Sequence, residues 1–322
     1  MNRRNFVRLA VGSLALAGLG TKAIAAPSFD RFRMAVWGKS RRFVRNAFGK
    51  IAYVESGVGD EALFLHGFPL SGFQWRHAVE QLDIFYRCIV PDFMGLGETD
   101  AAEGQDLGAS AQMAMIVSLL DALKVRQVHV VASDSGGAVA QLLAVHHPDR
   151  IRSLLLTNCD TERQSPPPAM RPVIDLAKQG LYADQWLSPW LENRDRARAP
   201  DQFGGMCYAD PANPTDEALE MYFGPLLASP ERRLQVEVHA IAQEKNELAG
   251  IAPALALCRV PTRIVWGMGD TIFAPENADY LDKAFGNSRG VRRLEKSKLF
   301  WPEERPEVIA EEADSLWRRG RT

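Results

Sequence analysis

Apolar and polar positions along the chain fall into two alternating periods. Residues 42–45 and 51–55 alternate in steps of two, as a half-buried antiparallel hairpin does. Residues 62–65, 87–92, 128–131, 151–156 and 261–266 are short, largely apolar or β-branched runs, the signature of buried strands, and Val291-Arg292-Arg293-Leu294 is read as the last strand. Between them, residues 107–123 and 138–145 repeat apolar positions at helical spacing. Strand and helix in alternation predict an α/β fold, a mostly parallel eight-stranded sheet flanked by helices. From Thr161 the pattern changes. Prolines cluster at 166–168, and aromatics gather at Tyr182, Trp186, Trp190, Phe203, Tyr208, Tyr222 and Phe223. Residues 161–250 are therefore expected to form a helical cap inserted into one connection of the sheet. The core then comprises residues 26–160 and 251–322. Most of the cap's rings are expected to fill its own core, while two or three, Tyr182 and Trp186 among them, wall an apolar pocket.

The first residues change the picture of where the chain works. Asn2-Arg3-Arg4-Asn5-Phe6 resembles a twin-arginine export motif; an apolar run over 9–20 follows, then Ala23-Ile24-Ala25. The run is too short to span a bilayer stably, and Ala-x-Ala is a cleavage signal. Residues 1–25 are read as a signal peptide, which implies a periplasmic or secreted protein. Export machinery is then a transient partner, and no stable membrane insertion is expected after the signal is removed. That segment carries four cations and no acid, so its removal takes the formal charge from −2 to −6. A mildly acidic chain offers no electrostatic case for nucleic acid. Cys88, Cys159, Cys207 and Cys258 lack metal-ligand spacing, and neither a metal nor a cofactor is expected. Export permits a disulfide, but Cys88, Cys159 and Cys258 lie in or beside apparent strands and read as free buried thiols.

The chemistry centres on Val128-His129-Val130-Val131-Ala132-Ser133-Asp134-Ser135-Gly136-Gly137. A buried strand runs directly into a helix, with small residues on both sides of the turn. Such a turn thrusts its central residue above the sheet, where the new helix aims its free N–H groups. Ala132 and Gly136 frame Asp134 as that residue; Ser133 and Gly137 frame Ser135 in a second register, and the pattern leaves both open.

The run Ala132 to Gly137 resembles the nucleophile elbow of α/β-hydrolases that use an aspartate, namely haloalkane and fluoroacetate dehalogenases and epoxide hydrolases. Its double glycine, two residues after the nucleophile, favours Asp134. The resemblance extends over about residues 40–318. His66-Gly67-Phe68-Pro69 matches the oxyanion-hole loop, which implies that the backbone N–H groups of Phe68 and Ser135 stabilise developing charge, with His66 bracing the loop. Trp266-Gly267-Met268-Gly269-Asp270 matches the loop carrying the acid that orients a histidine, a role implied for Asp270. The pattern breaks at the histidine itself. Aligned on Phe300 and Glu304-Arg305-Pro306, the expected histidine is Leu299, which becomes a pocket-wall residue, and no histidine lies beyond His239. Ser135 also stands where dehalogenases carry a halide-binding tryptophan. An aspartate can displace a halide or open an epoxide unaided, but hydrolysis of the aspartyl ester calls for a base, whose loss typically costs roughly 10²–10⁴-fold. The leading expectation is an exported hydrolase of a small, largely apolar ester, epoxide or halide, slow or altered in mechanism. The alternatives are a non-hydrolytic acid/base enzyme, with Asp134 and Asp270 sharing a proton, and an inactive small-molecule binder.

Overall fold

The computed structural model describes residues 34–319; the signal read at residues 1–25 lies outside the described residues. The sheet contains β1 (Arg41–Asn46), β2 (Gly49–Ser56), β3 (Asp60–Leu65), β4 (Tyr86–Pro91), β5 (Asp100–Ala101), β6 (Val128–Asp134), β7 (Ile151–Cys159), β8 (Thr262–Gly267) and β9 (Ser288–Leu294). Eight of these form a continuous path in the order β1-β2-β4-β3-β6-β7-β8-β9, as the apolar runs predict. The two-residue β5 is an addition that pairs with β2. It is too short to leave a periodic signal. The β1–β2 and β2–β4 pairs are antiparallel, and every pair from β4 through β9 along the path is parallel.

The central strands are apolar because neither face meets water. All seven residues of β6 are buried, and Leu63, Phe64 and Leu65 of β3 lie in register against Val130, Val131 and Ala132. The helices cover the sheet in packed groups: Arg76–Leu82 against Pro306–Arg319, and Ala109–Ala122 against Ser135–His146. β7 extends through Thr157, Asn158 and Cys159, farther than its apolar run, because these side chains are buried and Asn158 is fully hydrogen-bonded.

Apart from one isolated bridge, Thr161 with Gln164, the elements described between β7 and β8 are helices, including Met170–Ala177, Asp216–Leu227 and Pro230–Ala242. A polar latch joins this insertion to the rest of the chain. Arg232, on the last of these helices, donates to the carbonyls of Gly97 at 2.6 Å and Thr99 at 2.5 Å. A buried cluster adds to it: Arg76 pairs with Glu303 at 2.7 Å, and Glu303 also accepts from the Tyr208 hydroxyl at 2.6 Å. Among the described residues no helix is long and apolar enough to cross a membrane. All four cysteines are buried and free.

Candidate active site

In an open parallel sheet, loops at the carboxyl ends of the strands converge where the topology reverses. Here those loops carry His66–Leu70 after β3, the turn after β6, Asp160 after β7, Asp270 after β8 and Leu299 after β9. The turn after β6 is strained at one residue. Asp134 has φ +56°, in the region that L-residues avoid, and Ser135 begins the helix Ser135–His146. Close packing enforces the turn. A side chain on Gly136 would strike the His66 carbonyl, and one on Gly67 would strike the Asp134 side chain. The turning residue is therefore Asp134.

The two backbone donors expected of an oxyanion hole are present, and they hold the aspartate itself. Asp134 Oδ1 accepts from Ser135 N–H at 2.5 Å and Phe68 N–H at 3.2 Å. The Ser135 hydroxyl lies near the carboxylate and favours its charged form without reaching hydrogen-bond geometry. No hydrogen bond to Oδ2 is found among the described residues. Burial pushes Asp134 up to about 6, against the opposing pull of these donors. His66 braces the loop as a neutral ring: Nδ1–H donates to the Gly67 carbonyl at 2.8 Å, and Nε2 accepts from Phe93 N–H at 3.0 Å. Burial lowers its pKa, which keeps it uncharged.

Above Asp134 lies a cavity of about 240 Å³ lined by Phe68, Tyr182, Trp186, Trp190, Phe203, Met206, Leu299 and Phe300, among others. Tyr182, Trp186 and Leu299 all border it. Four of the insertion's rings reach the cavity rather than two or three. Trp190 and Phe203 join the wall because the rings pack at tilted angles in a chain, Tyr182 against Trp186, Trp186 against Trp190 and Trp190 against Phe203. Tyr208 and Tyr222 are buried where the insertion meets the core, against Phe300 and Phe73, while Phe223 packs on Phe203 and Trp190.

Asp270 is placed differently from a residue awaiting an imidazole. It does not border the cavity. Its Oδ2 accepts from the Asn158 amide at 2.8 Å, and Oδ1 from the Ile272 N–H at 2.8 Å. Asn158 is pinned in turn by the Gly267 N–H and the Trp301 indole. Burial, with the charge of Asp134 adding to it, raises Asp270 to about 7.

Two groups at the site escaped the sequence reading. Asp160, the residue after β7, borders the same cavity as Asp134. Burial and the neighbouring Asp134 charge push it up to about 8. A carboxylate at the carboxyl end of a central parallel strand is the signal that could have marked it. His239 is buried on the inserted helix Pro230–Ala242, stacked on Phe68 with ring centres 5.3 Å apart. Its Nδ1–H donates to the Met94 carbonyl at 2.9 Å, and burial lowers it to about 4. Among the described residues no group of three or more His, Cys, Asp or Glu could hold a metal ion.

Comparison with known proteins agrees with this architecture. Residues 63–296 match the model of the alpha/beta hydrolase fold family. Haloalkane dehalogenase 2 of Mycobacterium tuberculosis is 23% identical over 290 residues, covering 84% of this chain and 92% of that protein. Epoxide hydrolase 2 of Siraitia grosvenorii is 37% identical over 112 residues, about a third of each chain (34% and 35%). Among solved structures, the epoxide hydrolase CorEH superposes with a TM-score of 0.71 at 19% identity, over 87% of this chain and 98% of that one.

Proposed function

The chain belongs to the alpha/beta hydrolase fold family, and we propose that it hydrolyses a small, largely apolar epoxide, halide or ester through a covalent ester on Asp134. The observation that carries the reading is the placement of the carboxylate. Two backbone N–H groups converge on Oδ1 of a residue held at positive φ, that residue borders an apolar cavity, and no hydrogen bond to Oδ2 is found among the described residues. Oδ2 is thereby aimed as a nucleophile at an electrophilic carbon, and the bond to the halide or ring oxygen breaks as the ester forms. Oδ1 becomes the ester carbonyl oxygen without leaving its donors. When water attacks Cγ, negative charge develops on Oδ1, already within reach of Phe68 and Ser135 N–H and the helix N-terminus.

Asp134 must be ionised to attack, so ester formation gains as pH rises through about 6. The aromatic lining selects apolar substrates, and the cavity volume suits a molecule of modest size. We read the twin-arginine-type start as directing the protein to the periplasm or beyond, with the inserted helices as the cap over the site. Intact-mass spectrometry after exposure to a panel of haloalkanes, epoxides and activated esters tests the proposal. An adduct on Asp134, or product that disappears in Asp134→Asn, is expected. An adduct on Ser135 would make this a serine hydrolase instead.

A further inference from the structure

A second, smaller space lies beside the nucleophile. A slot of about 40 Å³ is bordered by Ser135, Asp160, Ser165, His239 and Gln243, with Gln112 and the paired Lys245 and Glu247 also on its wall. That volume suffices for one or a few water molecules. Gln243 Nε2 and Ser135 Oγ are both buried on this wall without a hydrogen-bond partner, which marks the space as one that water satisfies. Asp160 is the carboxyl group that borders both the slot and the substrate cavity. Its backbone is tied to the elbow: Asp160 N–H donates to the Asp134 carbonyl at 3.4 Å, and Gln141 Nε2 bonds the Asp160 and Gly137 carbonyls at 2.8 and 3.0 Å.

We propose that Asp160 is the acid–base catalyst of this site, working with Asp134 as a two-carboxylate pair in place of an imidazole, and that the slot supplies the hydrolytic water. The proposal rests on Asp134 being the nucleophile. While Asp134 is charged, its field and burial keep a proton on Asp160. When Oδ2 bonds to a carbon of an epoxide and the ring C–O bond breaks, Asp160 gives its proton to the departing oxygen. Esterification abolishes the Asp134 charge, so Asp160 ionises more readily and becomes a base. It takes a proton from a slot water as the hydroxide attacks Cγ. The tetrahedral intermediate then expels the alkoxide, which takes the proton of the new carboxylic acid. Asp134 ends as carboxylate, Asp160 is protonated again, and epoxide plus water has become diol. A halide leaves without needing a proton, so the first step with a haloalkane makes no demand on Asp160; once the ester has formed, Asp160 releases its proton to solvent and then serves as base, so that alkyl halide plus water becomes alcohol, halide and a proton. The alternation of roles parallels retaining glycosidases, where one carboxylate bonds and the other shuttles the proton.

The test compares wild type with Asp160→Asn by rapid-quench intact mass, using a primary bromoalkane and a terminal epoxide. With the bromoalkane, the variant is expected to form the Asp134 ester at near wild-type rate and to hydrolyse it roughly 10²–10⁴-fold more slowly. With the epoxide, ester formation itself should also fall. In wild type, ester hydrolysis should rise with pH through a single group that the variant lacks. The other titratable groups around the two spaces that Asp160 borders are Asp134, Cys159, Tyr182, Cys207, His239, Lys245 and Glu247, all retained in the variant. A purely structural role for Asp160 would lower the melting temperature, whereas the acid–base role leaves it unchanged or raises it at pH 8. As a second variant, Gln243→Leu removes the buried amide that would hold water in the slot and keeps Asp160; it should slow hydrolysis of the ester and spare its formation. Ester hydrolysed at the wild-type rate in Asp160→Asn overturns the role of Asp160 and leaves the Asp134 nucleophile standing. Finding neither an Asp134 adduct from any probe nor product that disappears in Asp134→Asn overturns the nucleophile and this inference together.

Discussion

Three buried carboxyls with raised proton affinity tie the stability of the fold to pH, and Asp160→Asn should expose that link. Asp160 is raised to about 8 from an ordinary 3.8. The folded chain therefore binds a proton that the unfolded chain has released throughout that interval. Where the unfolded state binds fewer protons, stability falls as pH rises. The contribution of Asp160 is fully present below about 4 and lost as pH climbs through about 8. A gap of about four pH units, at about 1.4 kcal/mol each, sets a ceiling of roughly 6 kcal/mol. Asp270 at about 7 and Asp134 at about 6 add losses of the same sign. In a domain stable by about 5–15 kcal/mol this is a large fraction, on the order of 10 °C in melting temperature. Melting followed by circular dichroism from pH 5 to 9 reads it directly. Wild type should melt progressively lower above pH 6. Asp160→Asn, which cannot ionise, should show a flatter profile and overtake wild type near pH 8. A wild-type curve that is level or rises over this range would refute the reasoning, as would a variant whose slope matches it.

Three further outcomes follow from the same geometry. Asp270→Asn should lower turnover by less than about tenfold, because Asp270 bonds Asn158 and the Ile272 N–H and has no imidazole to orient; steady-state kinetics checks this. Glu303→Gln should destabilise the fold by about 3–5 kcal/mol in urea titration, since Arg76 would be left buried without its partner. Leu299→His, introduced into Asp160→Asn, should restore decay of the Asp134 ester by at least roughly tenfold in the mass assay, because position 299 borders the cavity that holds Asp134.

Much of the fold was legible because the central strands are buried on both faces, which leaves short, unbroken apolar runs such as 128–131 and 62–65. The elbow was legible for a steric reason. Gly136 and Gly67 permit a backbone approach that any side chain would block, so the small residues mark the turn in sequence. Its register was not, since Ser133 and Gly137 frame Ser135 as well as Ala132 and Gly136 frame Asp134; only the positive φ separates them. Asp160 escaped because its meaning lies in strand pairing. The register of β6 on β7 sets Asp134 opposite Cys159, which brings the next carboxyl beside that of Asp134. Pairing of Asp270 with Asn158 joins residues 112 apart, and the contact of His239 with Phe68 depends on how the insertion docks. No local pattern records either.

Leucine at position 299 shapes the electrostatics of the whole site and bears on why its carboxyls behave as they do. A neighbouring imidazolium would stabilise the charged forms of Asp134 and Asp270 and hold their pKa values down. Leu299 supplies no charge and adds apolar surface to the cavity, so burial acts on Asp134, Asp160 and Asp270 without a cation to oppose it. His66 and His239 do not compensate, for burial holds both rings below their ordinary pKa. Charge in the pocket is therefore limited by retained protons. Asp134, with two N–H donors on Oδ1, ionises at the lowest pH of the three; Asp160, beside it, holds its proton longest. Two carboxyl groups whose environments separate their proton affinities are an acid and a base available near neutral pH. A cavity walled by Leu299 thus supplies the condition under which a carboxyl pair can carry the proton transfers we propose.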